Sequence, residues 1–243
     1  MTRECTADFV KLEKYILDYS ISFNLKEKDY VKSAKRMHKV YFSLINWHVE
    51  YKHQTDSFSK EYTSNEDILL RLSETVSDIG SSQFNWLNGS YKAARIMLRS
   101  AIENFVRALS AIEDTSLLTE KSVFKVFEKA NSSSIFNIST TINDAYQLLH
   151  SRYATLCEDT HTATSNNMEH ITSLADYPQY IAGKSESTKD LFISIVQNIL
   201  LILCLTFNKI YHSMHHRNKE NILNSIPTSY KSFIQDPTII NQS

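Results

Sequence analysis

Glycine and proline are nearly missing from this chain: three of each in 243 residues, where average usage would give about 29 of the two together. Strand-rich and α/β folds need glycine for left-handed turns and proline to punctuate loops. Their scarcity argues against such folds and predicts long helices. With only Gly80, Gly89 and Gly183 available, no glycine-rich phosphate loop or dinucleotide fingerprint can be written. Cysteine is equally sparse. Cys5, Cys157 and Cys204 are odd in number and far apart, which argues against a disulfide framework and for a reducing cytoplasm. Neither sign of charge dominates: 26 basic against 27 acidic residues leave a net charge of -1. No global field draws the chain to nucleic acid or to an anionic membrane, though a local basic strip remains open. The first residues contain no apolar stretch of the signal-peptide kind. Nucleophile-elbow, kinase and HExxH sequences are also lacking. No cofactor and no metal are expected, and the predicted location is cytoplasmic.

What the chain does have is apolar residues at helical spacing. Hydrophobic content is 42%, and a chain of this size buries roughly 70% of its unfolded surface. One all-helical domain over 1–243 is expected, a multi-helix bundle of long helices. Phe9, Leu12, Ile16, Tyr19 and Phe23 predict a helical face over 6–23. Val31, Ala34, Met37, Tyr41, Leu44 and His48 predict another over 28–52, with 53–62 as a polar loop. Thr63 and Glu66 form a capping-box pattern ahead of a helix carrying Ile68, Leu72, Val76 and Ile79, which Gly80 ends or weakens. Asn88-Gly89-Ser90 is a firmer break, with Ser90 as the cap of a regular helix from Tyr91 to about Glu113. Its apolar face holds Ala94, Leu98, Ala101, Ile102, Phe105 and Leu109. A short helix near 121–129 precedes one over 139–159, whose seam is Ile142, Tyr146, Leu149, Tyr153 and Leu156. An irregular loop spans 162–186, longer than most connections.

The segment 191–207, LFISIVQNILLILCLTF, is the centre of a helix expected over 187–216, within C-terminal helices covering 187–234. A membrane span needs about 20 mostly apolar residues. This segment is shorter and contains Ser194, Gln197, Asn198 and Thr206. It reads as a central helix buried on all sides, with membrane anchoring as the weaker alternative.

Few residues invite chemistry. His150, Ala154, Cys157 and His161 fall along one helical stripe, and His161 stands where the helix meets the irregular loop. An imidazole there suits a general base or an RNA contact; a histidine stabilised by the helix C-terminus is the structural alternative. Cys157 with His161 spells a thiol–imidazole pair, against a buried structural cysteine. Arg95, Arg99 and Glu103 stack at spacings of four, with Arg95 at the edge of the apolar face and Arg99–Glu103 a local ion pair. His212 and His216 share a helical face without a supporting carboxylate or thiolate, too little for a metal site. With Lys209, His215, Arg217 and Lys219 they form the one local basic cluster able to hold phosphate.

Ala94-Arg-Ile-Met-Leu-Arg-Ser-Ala-Ile-Glu103, read with Tyr153-Ala-Thr-Leu156-Cys-Glu-Asp-Thr-His161, resembles the HEPN superfamily over about 65–165. That family pairs an "AR..LR.AIE" helix with a later helix ending in histidine. The segment from His215 to Pro227 is similar to tails of bacterial helical proteins near it. The resemblance implies a helical, commonly dimeric protein of toxin–antitoxin, abortive-infection or CRISPR-linked systems, many of which are metal-independent ribonucleases. The family's active motif is arginine, four to six residues, then histidine on one helix. None of the eight arginines here has a histidine at that spacing. The resemblance therefore implies the fold more than the activity. It leaves His161 acting with Arg95 or Arg99 from another helix, with Glu103 beside them, or a relative that binds RNA or a protein partner without catalysis.

Overall fold

The computed structural model describes residues 9–58 except 12, 13 and 16, residues 66–160, and residues 168–236 except 170; side chains are described outside 55–58 and 160. Among these residues there is no strand. The protein is an all-α multi-helix bundle, as the glycine and proline poverty predicts.

Helix α1 runs Lys28–Phe58. Tyr30, Ser33, Met37, Val40, Leu44, Trp47 and Tyr51 are buried along it, at alternating spacings of three and four. This stripe sits about one residue away from the expected face, whose Val31, Ala34 and Tyr41 are only half-buried at its flank. The large rings of Tyr30, Trp47 and Tyr51 set the register, because they remove the most apolar area from water. The helix also continues through 53–58, expected as loop. No glycine or proline interrupts that polar stretch, so nothing stops the helix there. The described residues within 9–18 are helical, as expected for 6–23, but the helix ends before 23 and the described positions of its predicted apolar face are not buried. The chain enters a 3-10 turn at Ile21–Lys26, and Phe9 and Phe23 are exposed. Leu12 and Ile16 lie outside the described residues, as does Thr63 of the capping pattern.

Helix α2 spans Glu66–Leu87 without a break at Gly80. A Cβ on Gly80 would meet the Tyr41 hydroxyl at 2.4 Å, so glycine here permits α1 and α2 to approach closely. A turn at Asn88-Gly89 leads to α3, Tyr91–Ser110, which packs along α2 in the most extensive helix pair of the fold. Every predicted apolar position of α3 is buried. After a 3-10 turn at Thr115–Leu118 come α4, Val123–Ser132, the short α5, Ser134–Asn137, and α6, Thr140–Thr160. The α6 seam of Ile142, Tyr146, Leu149, Tyr153 and Leu156 is buried as predicted.

The core helix is α7, Ala182–Thr206. It packs against α1, α2, α3 and α6. By length and composition it could cross a membrane, yet 72% of its most apolar window is buried within the protein. Its apolar surface is covered by other helices, as expected for 191–207. The helix begins earlier than predicted, taking in 182–186, and ends earlier too. At Phe207 the backbone leaves the helical region (φ -107, ψ 47), seating the Phe207 ring against Trp47 at 5.8 Å and Tyr51 at 5.2 Å. The predicted helix to His216 is thus replaced by α8, Asn208–Ser213, and a separate α9, His216–Ser225. Helix α10, Thr228–Gln235, follows. α9 lies on α1 and α10 on α7.

Candidate functional site

The four-residue row Arg95, Arg99, Glu103, Arg107 of α3 is one face of the helix, and its first two members meet α6. Arg95 Nε donates to Asp159 Oδ2 at 2.7 Å. One turn on, Arg99 Nη2 donates to the Tyr153 hydroxyl at 2.7 Å and its Nε reaches Cys157 Sγ at 3.4 Å. The Arg99 guanidinium also lies 4.9 Å from the Tyr153 ring centre, a cation–π contact. The two helices are therefore stitched antiparallel by both arginines.

Glu103 does not pair with Arg99 as the sequence suggested. It accepts from Arg107 Nη2 at 3.2 Å. This is the favoured order, acid before base at i, i+4. Arg107 is the residue that sequence reasoning passed over. It is buried, and its Nη1 donates to the carbonyls of Leu117 at 2.6 Å and Glu120 at 2.7 Å. It fastens the segment after α3 and is structural. The spacing of four from Glu103 was the one available signal. A second unforeseen network joins α2 to α3: Arg71 Nη1 donates to Asn104 Oδ1 at 3.0 Å, and Asn104 Nδ2 donates to Asp78 Oδ2 at 3.0 Å.

His161 lies outside the described residues. Its neighbours in sequence are placed: α6 runs to Thr160, and Asp159 faces Arg95. Cys157 is half-buried, forms no disulfide and is held by Arg99 rather than exposed for nucleophilic attack.

Beyond Arg95 lies a small cavity of about 80 Å³. Its walls come from α3 (Tyr91, Lys92, Arg95), the end of α6 (Asp159), the loop (Met168, Glu169) and the first turns of α7 (Lys184, Ser187, Thr188). Among the described residues, three cations and two carboxylates face it. The Thr188 hydroxyl is buried and has no hydrogen-bond partner among the described residues. Ser90 takes the cap position of α3, but its side chain makes no capping bond. Glu169 does this instead, accepting from the Lys92 backbone N–H at 2.9 Å. A carboxylate at a helix N-terminus satisfies an orphan donor and the helix dipole together. The loop is thus tied directly to the cavity wall.

Burial pushes the Asp159 carboxyl above the usual aspartate range, and Arg95 only partly offsets it. A raised folded-state pKa means the folded protein holds this proton more tightly than the unfolded chain. Asp159 therefore adds stability at acidic pH, and this contribution is lost as pH rises through the raised value. Wild type minus Asp159→Asn should show an unfolding free-energy difference that grows as pH falls from 7 to about 4. Urea unfolding of both proteins across that range checks it; a difference that shrinks in acid contradicts the assignment.

His212 and His216 do not share a helical face, because the chain breaks between α8 and α9. His215 Nδ1 instead accepts from the Arg217 backbone N–H at 3.4 Å. Among the described residues no group of three or more His, Cys, Asp or Glu is placed to hold a metal ion. Comparison with family models, curated proteins and solved structures finds no match to this chain.

Proposed function

We propose that this chain is a cytoplasmic, HEPN-like helical component of a bacterial phage-defence or toxin-type system, and that it engages RNA phosphates at the α3–α6 seam. The supporting observation is Arg95. Its Nε is held by Asp159, while its terminal N–H groups, among the described residues, are left to donate toward the cavity it shares with Lys92 and Lys184. A guanidinium fixed at one nitrogen and open at the others is a pre-organised phosphate clamp. Arg99 is unsuited to that role, since Tyr153 and Cys157 occupy it. His161 follows Asp159 by two residues, a chain reach of at most about 7 Å.

If the site cleaves, the chemistry is transfer within the strand. His161 takes the proton of the ribose 2′-hydroxyl, whose oxygen attacks the adjacent phosphorus. The 5′-oxygen leaves and takes its proton from water, His161 gives up its own to water, and Arg95 stabilises the charge on the phosphoryl oxygens. Near-neutral net charge limits the free-standing affinity for RNA.

Induced expression in a bacterial host, with total RNA examined, tests this beside purified protein on single-stranded RNA. Wild type should bind RNA, with Arg95→Ala weakening binding about tenfold. Cleavage, where present, should fall at least about 100-fold in His161→Ala. Intact RNA together with absent binding overturns the proposal.

A second reading, a helical adaptor for a protein partner or a second copy, is favoured by the N-terminal segment. Leu17, Phe23 and Leu25 are 85%, 66% and 61% exposed, large apolar side chains close in sequence that a partner surface would cover.

A further inference from the structure

The break at Phe207 folds α8, α9 and α10 around an open cleft of about 550 Å³, within the size range of small-molecule sites. Its lining is chemically lopsided. Lys219, Lys231, His212 and His216 face it, opposed among the described residues by the single carboxylate of Glu220. The apolar part is Leu223 and the buried Tyr211, whose ring meets His212 edge-on at 5.3 Å. Two of these groups are poised rather than merely nearby. Lys219 Nζ donates to the His212 carbonyl at 3.0 Å, which holds the ammonium at the cleft wall with two further protons to give. His212 Nε2 is buried and has no hydrogen-bond partner among the described residues, a cost that a ligand can relieve. Lys231, half-buried on α10, makes no ion pair among the described residues.

The geometry points to a second site, separate from the α3–α6 seam, for a phosphate ester of mononucleotide size. Lys219 and Lys231 hold the phosphate from helices α9 and α10, the imidazoles of His212 and His216 add hydrogen bonds, and the Tyr211–Leu223 wall receives the apolar face of the base. The basic cluster visible in the sequence is thereby divided. His212, His216 and Lys219 enter the cleft, and Lys231, distant in sequence, completes it; Lys209, His215 and Arg217 do not line it. This site stands whether or not the seam binds RNA.

Calorimetric titration tests it, with AMP, inorganic phosphate and a short single-stranded RNA as probes. AMP should bind more tightly than phosphate, and Lys231→Gln should weaken AMP about tenfold. Lys219→Gln should do the same, but it also removes a bond to the α8 backbone. Lys231→Gln therefore carries the test, with circular dichroism to show that both variants fold. Arg95→Ala should leave AMP binding unchanged, which separates this site from the seam. No AMP binding at about 1 mM, or binding equal in wild type and Lys231→Gln, overturns the proposal. RNA binding that depends on Lys231 while AMP fails assigns the cleft to a strand and overturns the nucleotide site.

Discussion

Trp86→Ala is expected to lower the unfolding free energy by about 3–5 kcal/mol, the usual cost of deleting a fully buried large aromatic side chain. Trp86 is completely buried and links three elements near the seam. Its indole stacks on Tyr30 of α1 at 5.0 Å, and its Nε1 donates to the Ser185 carbonyl in the first turns of α7 at 3.0 Å. Tyr30 in turn donates its hydroxyl to the Leu87 carbonyl at 2.9 Å. Alanine would leave a cavity and an unsupported tyrosine ring, and would remove the indole's bond to the Ser185 carbonyl. Because α7 contributes Lys184, Ser187 and Thr188 to the site, the damage should reach ligand binding as well as stability. Trp86→Phe separates the two parts: it keeps most of the volume and should cost only about 1–2 kcal/mol, the loss of a buried hydrogen bond. Urea unfolding measures both. A Trp86→Ala cost below about 1 kcal/mol would mean that the α2–α7 junction is not held in this way.

Gly89→Ala is expected to cost about 3 kcal/mol or more through two separate effects. Gly89 sits at φ +79, where a Cβ clashes with the backbone and costs about 1–2 kcal/mol. The added carbon would also lie 2.2 Å from the Gln179 carbonyl oxygen and 3.0 Å from its carbonyl carbon. A backbone neighbour cannot swing aside as a side-chain tip can, so the loop must lift. The same loop docks through Gln179 N–H on the Asn88 carbonyl at 3.4 Å and carries Glu169 to the start of α3. Loss of the dock should therefore loosen the cap on Lys92 and open the small cavity. Gly183→Ala is the control. It has nothing within 4 Å of its added carbon and lies in the first turn of α7, where alanine is the better helix former. It should be neutral or slightly stabilising. Thermal unfolding of the pair reads the contrast; equal melting temperatures would count against the steric account.

The elements were largely legible because a helix writes its partners into local spacing. Ala94, Leu98, Ala101, Ile102, Phe105 and Leu109 share a face whatever lies opposite, and all of them are buried. Boundaries failed where a tertiary contact overrode local preference. The long apolar helix reads onward through Phe207 to His216, yet the chain breaks at Phe207, where the ring packs against the stacked pair Trp47 and Tyr51. Gly80 reads as a stop or a weak point in the helix, yet the helix runs through it and it is a point of close approach to Tyr41. The polar stretch after Lys52 reads as a loop, yet nothing in it prevents the helix from continuing to Phe58.

By itself, the sequence determined the fold class, the buried faces of α3 and α6, and the central place of the apolar helix. These follow from composition and from a 3.6-residue repeat, both of which act over one or two turns. Only the tertiary structure decided what the charged residues do. Arg95 meets Asp159 across 64 positions, Arg99 meets Cys157 across 58, and Glu103 turns to Arg107 instead of Arg99. Lys231 joins His212 and Lys219 only because α8, α9 and α10 fold back on one another. An ion pair or hydrogen bond is chosen by distance in space and by burial, and neither is written in the order of residues along the chain.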